Sequence, residues 1–240
     1  MSMLITGAGG GIGRAVVELA VERGYSVIAH DLKPESLADL RGVETITGDL
    51  TSKDHLGLLG RRVADEPLEA VVASHGIAGA VALADVDERR SRAILAINAS
   101  TVPALFEAVR EPLTRSHGTY VAVSSQASLR AERENAVYCA SKWAVTGWVR
   151  AMAAGQAEGP TVRALCPGRT ETPLFVAATE AIAAAQGQTV EAYNKDIYDL
   201  IPLRRFATTR ETASLALYLA TQPRGAAPTV VANSGGEVPF

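Results

Sequence analysis

Met3-Leu4-Ile5-Thr6-Gly7-Ala8-Gly9-Gly10-Gly11-Ile12-Gly13 is the stretch that decides the fold. Met3-Leu4-Ile5 is a short apolar run of the kind that makes a buried strand. Beyond the glycines, Ile12, Ala15, Val16, Leu19 and Ala20 recur at the intervals of a helix with one apolar face. Strand, glycine turn and helix, in that order, are the setting of a dinucleotide-binding turn. Glycines let the chain reverse tightly and bring backbone N–H groups up to a pyrophosphate, and the helix N-terminus adds partial positive charge. Gly7, Gly11, Ile12 and Gly13 are therefore candidate cofactor-binding residues, spaced Gly-x-x-x-Gly-x-Gly. The plain alternative, a glycine turn with no ligand, leaves the ordering cost of so many glycines without a use.

Working outward, apolar runs alternate with helical patterns to the end of the chain. Strands are expected at residues 26–29, 44–47, 68–74, 119–124, 161–166 and 228–232. Helices are expected near 35–40, 53–64, 88–115 (interrupted near Asn98 and Pro103), through Tyr138 to about 154, over 173–200 and over 210–220. This alternation predicts an α/β fold, a doubly wound parallel sheet of about seven strands with helices on both faces. Ligands of such sheets sit at the carboxyl ends of the strands. Gly7, Asp31, Ser74, Ser125 and Pro167 all follow expected strands, so topology alone brings them to one edge.

Tyr138-Cys139-Ala140-Ser141-Lys142 places a phenol and an ammonium four residues apart, on one face of a helix. A free tyrosine, with a pKa near ~10, is a poor proton carrier at neutral pH, and a nearby cation favours its phenolate. Alone the spacing is weak, because Tyr and Lys fall four apart by chance in many helices.

Together, the Thr6-Gly7-x-x-x-Gly11-Ile12-Gly13 turn and the Tyr138-x-x-x-Lys142 pair about 130 residues later resemble the short-chain dehydrogenase/reductase family. The resemblance covers nearly the whole chain. It implies a Rossmann-like domain over 1–240 that moves hydride between a nicotinamide cofactor and an alcohol/carbonyl pair. Tyr138 is then the general acid/base, and Lys142 lowers its pKa and bonds the nicotinamide ribose. Ser125, 13 residues before Tyr138 as in relatives, is preferred to Ser124 as the residue that bonds the substrate oxygen. Asn98 matches the asparagine that helps hold a proton-relay water; a capping asparagine is the alternative. Asp49-Leu50 matches a pair beside the adenine, with an ordinary turn aspartate as the alternative. Pro167-Gly168 matches the turn at the nicotinamide, Thr172 matches a threonine that bonds its carboxamide, and Thr170 is placed in the same pocket. Relatives usually read Asn-Asn-Ala-Gly after the fourth strand, whereas this chain reads Ala73-Ser74-His75-Gly76. Ser74 and Gly76 keep the cofactor-side position, and a catalytic role for His75 is not favoured. Arg169 and Glu171 read as a solvated loop edge.

Asp31 ends the second strand, about 20 residues after the glycine turn, where a carboxylate accepts from ribose hydroxyls and repels a 2′-phosphate. With Gly10 where NADP-using relatives often carry Ser or a basic residue, the expected cofactor is NAD; Lys33 leaves NADP as the lesser alternative. Asparagine, serine, tyrosine and lysine candidates are all present, which argues against a non-catalytic nucleotide sensor; a structural oligomer with a vestigial pocket is a further alternative and predicts no nucleotide binding. An NADPH-dependent 3-oxoacyl thioester reductase of the same fold is the other alternative. The substrate is expected to be a small secondary alcohol or ketone, under a lid at about 173–206. Arg130 or Arg133 could meet an anionic group there, although a solvated loop or subunit contact is the favoured reading of 126–135.

The chain has 240 residues, a net charge of −3 and Cys139 and Cys166 as its only cysteines. These values give no electrostatic case for nucleic acid or an anionic membrane, and they suit reduced thiols in a cytoplasmic protein. No signal peptide, run of transmembrane length or metal-ligand spacing is read from the sequence. Small apolar residues on the helices at 98–115 and 138–154 imply, through the resemblance, a homodimer or homotetramer.

Overall fold

The computed structural model describes residues 2–65, 67–78, 87–132, 135–155 and 158–238; Arg133 and Glu134 lie outside them. Among the described residues, seven strands form one parallel sheet: β1 (Ser2–Thr6), β2 (Ser26–Asp31), β3 (Glu44–Thr47), β4 (Leu68–Ala73), β5 (Thr119–Val123), β6 (Thr161–Pro167) and β7 (Val230–Asn233). Their spatial order is β3-β2-β1-β4-β5-β6-β7. The order reverses between β1 and β4, which places a crevice at their carboxyl ends. Thr6 pairs with His30 on one side and with Ala73 on the other, so Gly7, Asp31 and Ser74 leave the sheet side by side.

Successive side chains of β1 show why both faces are covered. Met3 and Ile5 enter one core with Val16 and Leu19 of α1 (Gly11–Glu22) and with Ala216 and Leu217 of α8 (Thr209–Thr221). Leu4 enters the other core, which contains Leu59 of α2 (Lys53–Val63), Leu105 and Phe106 of α4 (Thr101–Arg115) and Val145 and Val149 of α5 (Ala136–Gly155). Strands buried on both faces read as continuous apolar runs, and β1, β4 and β5 do so. Arg163 on β6 is 1% exposed, yet its guanidinium donates to the carbonyls of Leu219, Gln222 and Pro223, closing the C-terminal end of α8. A cation at unsatisfied helix carbonyls is favourably placed.

Four expectations are adjusted. The segment expected to be helical near 35–40 is only a 3₁₀ turn at Pro34–Ser36, because the chain must soon turn through Gly42 at φ +72° to start β3. The interruption near Asn98 is a π-helical turn, Ala96–Ser100, between α3 (Glu88–Leu95) and α4. Within the 28-residue helical run Glu88–Arg115, one 18-residue window reaches a mean hydropathy of 1.2, an exception to the expectation that no run approaches membrane length. Its Val102, Leu105, Phe106 and Val109 side chains are taken up by the core beside the sheet. The expected helical stretch over 173–200 is two helices, α6 (Pro173–Ala185) and α7 (Val190–Leu200), each opened by a threonine cap, Thr172 and Thr189.

Two histidines, a half-buried His75 and a buried His30, sit where the strands end. His75 joins β1 to α4: its ring nitrogens lie 2.7 Å from Thr6 Oγ1 and 2.7 Å from Thr101 Oγ1. Thr101 spends its proton on the Ile97 carbonyl, 2.6 Å away. His75 Nε2 must then be the donor, and in the neutral ring Nδ1 accepts from the Thr6 hydroxyl. Burial, helped by the Lys142 charge, pushes His75 down to about 3. His30 Nε2 meets His55 Nε2 at 2.8 Å, and burial with the neighbouring ring pushes His30 down to about 4. Both folded values lie below the ordinary histidine value, so below about pH 6.5 the unfolded chain takes up protons that the folded chain refuses. Stability should therefore be full above about pH 6.5 and fall on acidification, at a slope approaching two protons, roughly 2.7 kcal/mol per pH unit near pH 5. Urea unfolding at a series of pH values measures this slope, and a flat profile between about pH 7 and about pH 5 would contradict it.

Candidate active site

The glycine turn forms the floor of the crevice. Gly7 has φ +66°, and a Cβ there would lie 2.7 Å from the His75 backbone nitrogen. A Cβ on Gly13 would collide with the Gly7 carbonyl oxygen, and one on Gly11 would lie 2.7 Å from Thr172 Cγ2. The first turn of α1 can approach β1 this closely only through glycine. Gly10 caps α1 without a side-chain hydrogen bond, and the first turn carries no acidic residue. Its leading N–H groups are thus available to an anion, and the cradle fits a dinucleotide pyrophosphate.

A cavity of about 370 Å³ opens above this floor. Gly7, Gly11, Ile12, Ser74, Gly76, Ser125, Tyr138, Lys142, Pro167, Gly168, Thr170 and Thr172 all line it. Gly13 lies beneath, in contact with Gly7. Asp31 is at the rim: Oδ2 accepts from the Gly9 N–H at 2.9 Å, and Oδ1 accepts from the Leu32 N–H at 2.8 Å. Lys33 is exposed. Arg14 is held by Asp39 and by the Ser36 carbonyl. Asp49 and Leu50 are outside the cavity wall. Asp49 Oδ1 accepts from the Thr51 N–H and hydroxyl, which holds its carboxyl below the usual range, and Leu50 is packed in the core. Here the geometry is that of the turn aspartate.

At the catalytic end, β5 stops at Val123 and releases Ser124 and Ser125 in different directions. The Ser124 hydroxyl donates to the Lys142 carbonyl and pairs with Thr146 Oγ1, both on α5, which ties helix to strand. Ser125 lines the cavity with Tyr138, where its hydroxyl favours the phenolate, and its Oγ accepts from the Ala127 N–H at 3.1 Å. Lys142 is 5% exposed; its Nζ lies 5.7 Å from the Tyr138 ring centroid and donates to the Val123 carbonyl at 3.1 Å. Asn98, in the π turn, accepts from the Ile77 N–H at 2.8 Å and donates to the Ile77 carbonyl at 3.0 Å and to Ser141 Oγ at 3.3 Å. A Cβ on Gly76 would lie 3.2 Å from Asn98 Oδ1 and 3.7 Å from Lys142 Nζ, so Asn98 and Lys142 flank that glycine together. Thr170 pairs with Thr212, and Thr172 Oγ1 caps α6 by accepting the Phe175 N–H.

The electrostatics differ from the expectation that Lys142 lowers the Tyr138 pKa. Burial pushes Tyr138 up to about 12; the Ser125 hydroxyl opposes this, while Glu132 and Cys139 add to it. Burial likewise brings Lys142 down to about 8. Desolvation thus favours the neutral form of each, and the ammonium is directed at the Val123 carbonyl instead of at the phenolic oxygen.

The segment 126–135, expected as a solvated loop or subunit contact, supplies a polar wall beside Ser125. Gln126, Glu132, Asn135 and Arg169 line the cavity, so Arg169 is not a solvated edge. Arg130 and Arg169 both pair with Glu237, whose side chain is 1% exposed. Arg130 is thus engaged near the end of the chain. Pairings across 107 and 68 residues leave no local signal in the sequence.

The family model described as Enoyl-(Acyl carrier protein) reductase matches residues 7–230. A 3beta-hydroxysteroid dehydrogenase of Mediterraneibacter gnavus is 30% identical, over 98% of this chain and 93% of that protein. A 2-keto-3-deoxy-L-fuconate dehydrogenase of Xanthomonas campestris pv. campestris is 31% identical, over 91% of this chain and 73% of that protein. Actinorhodin polyketide ketoreductase, in a crystal structure with NADPH, matches with a TM-score of 0.90 at 25% identity, covering 98% of this chain and 96% of that one. With its glycine cradle, seven-stranded parallel sheet and Ser125, Tyr138 and Lys142 in one cavity, the chain belongs to the short-chain dehydrogenase/reductase family and is an NAD(P)-dependent oxidoreductase.

Proposed function

We propose that this protein interconverts a secondary alcohol and a ketone with NAD(H). The observation that carries the reading is the convergence of Ser125, Tyr138 and Lys142 on one cavity with the glycine turn. The nicotinamide, when bound, accepts or returns the hydride. Tyr138 Oη exchanges the proton with the substrate oxygen, and Ser125 Oγ donates a hydrogen bond to that oxygen as charge develops on it. Lys142 holds the nicotinamide ribose and supplies the positive charge behind the phenol. Asn98 supports the proton path to solvent from Lys142. Gly7, Gly11, Ile12 and Gly13 hold the pyrophosphate; Pro167, Gly168, Thr170 and Thr172 hold the nicotinamide side; Ser74 and Gly76 line the middle. Residues 173–206 serve as the lid, with Phe175, Tyr193 and Phe206 packed in a small apolar cluster.

Asp31 supports NAD over NADP, because its carboxylate stands at the rim beside Gly9 and would repel a 2′-phosphate. The ketoreductase with NADPH is the comparison that pulls the other way. Asp49 and Leu50 remain proposed as adenine neighbours, through the resemblance of their motif. Exposed Leu95 and Trp143 support a homodimer or homotetramer, and the free Cys139 and Cys166 suit a cytoplasmic enzyme.

Fluorescence titration with NADH and NADPH tests the cofactor. NADH should bind at least about tenfold tighter, and Asp31→Ser should narrow the ratio, on the scale of one charge–charge contact at a partly solvated site. Tighter NADPH binding would overturn the NAD reading, and no binding of either would overturn the function. A phenol held protonated also sets a direction of pH dependence. Ketone reduction should be flat from about pH 6 to about pH 8, while alcohol oxidation should rise with pH as the phenolate becomes accessible. Initial rates in both directions check this, and oxidation that falls with rising pH would contradict the role of Tyr138.

A further inference from the structure

The cavity has two unlike walls beyond Ser125 and Tyr138. Ile77, Leu174, Phe175, Ala178 and Ile182 make one of them apolar. The other is built on Glu132. Its Oε2 accepts from Asn135 Nδ2 at 3.0 Å, and its Oε1 accepts from Gln126 Nε2 at 3.4 Å. Gln126, 2% exposed, also donates from Nε2 to Glu237 at 3.1 Å. Set between two carboxylates, the amide can point only its nitrogen at them, which leaves Gln126 Oε1 buried without a partner. This wall is therefore rich in acceptors.

The cations near it are engaged by other groups, with the Arg130 Nε–H left buried without a partner. Arg130 and Arg169 share the buried Glu237 carboxylate, and Lys142 donates to the Val123 carbonyl. Glu132 is the carboxylate that reaches the reacting end, near enough for its charge to oppose ionisation of Tyr138. An anionic group beside the reacting carbon would meet this like charge across the cavity. A hydroxyl there would instead donate a charge-assisted hydrogen bond.

We infer that Glu132 is a specificity-determining residue: it selects neutral substrates that carry a hydroxyl next to the reacting carbon on an apolar body, and it rejects carboxylates and phosphate esters. The inference rests on the alcohol/ketone reading above and narrows its substrate class.

A matched pair tests it: trans-1,2-cyclohexanediol and 2-hydroxycyclohexane-1-carboxylate. Equilibrium binding of each is measured calorimetrically to the NADH-loaded protein, where the alcohols bind without turnover, and kcat/KM is measured separately with NAD. The wild type should favour the diol at least about tenfold, a modest share of the repulsion between two charges. Glu132→Gln, nearly the same shape and still able to accept from Gln126, should shrink that preference at least about fivefold through tighter binding of the acid, and Glu132→Lys should reverse it. Glu132→Gln should also move the alkaline limb of ketone reduction to lower pH. Tyr138 faces Ser125, Glu132, Cys139 and Lys142, and the substitution removes one of the two negative influences among them. An unchanged preference in Glu132→Gln, a wild type that favours the acid, or no binding of either compound would overturn the inference. Selective binding without turnover of the diol would support Glu132 and count against the alcohol/ketone reading instead.

Discussion

The contact of the Gly7 carbonyl with Gly13 is the constraint on which the rest depends. It lets α1 begin directly over the end of β1, and that position lets α1 pack along α8 over one face of the sheet. It also leaves the uncapped N-terminus of α1 pointing at the crevice between β1 and β4. On the far side of the same turn, the positive φ of Gly7 brings the chain against the backbone of Ser74 and His75. There the replacement of the usual asparagines becomes intelligible. His75 is a fully bonded strut between Thr6 and Thr101, so it ties the glycine turn to α4. In this way it holds a position in the fold.

A second theme is the cost of burying charge at the reacting end. Desolvation acts on Tyr138 and Lys142 in opposite senses and brings both toward neutrality. The chain offsets this with fixed polar groups: the Ser125 hydroxyl at the phenol, the Val123 carbonyl at the ammonium, and the Asn98 amide holding residue 77 beside them. Such groups need no rearrangement when charge shifts during proton transfer. A tyrosine that keeps its proton suits the acid role in ketone reduction, and the cationic surroundings it needs as a base come from Lys142 and from what binds next to it.

What was legible in the sequence follows from the range of each signal. Local period and order gave the strands, the glycine turn and the crossover topology, because Met3-Leu4-Ile5 and the α1 pattern each declare themselves within a few residues. The motif spacing from Ser125 to Tyr138 and Lys142 identified side chains that do share a cavity, and Ser125 over Ser124 agrees with where the two hydroxyls lie. Contacts between distant segments were not legible. Arg130 with Glu237 and Thr6 with His75 are juxtaposed only by the finished sheet. Environment was equally hidden: the residue types at 138 and 142 suggest a lowered tyrosine pKa, whereas burial, which no motif encodes, dominates in the structure. Asp49 shows the converse, a motif match whose carboxylate is spent on its own turn.

The most direct test of the central claim is a comparison of wild type and Tyr138→Phe in nucleotide affinity and in turnover of an accepted alcohol. If Tyr138 is the proton-transferring group, the variant should bind NADH within about threefold of the wild type while kcat/KM falls by at least about a hundredfold, the scale of a lost general acid/base. Wild-type-like turnover in Tyr138→Phe would contradict the account, whatever the nucleotide affinity.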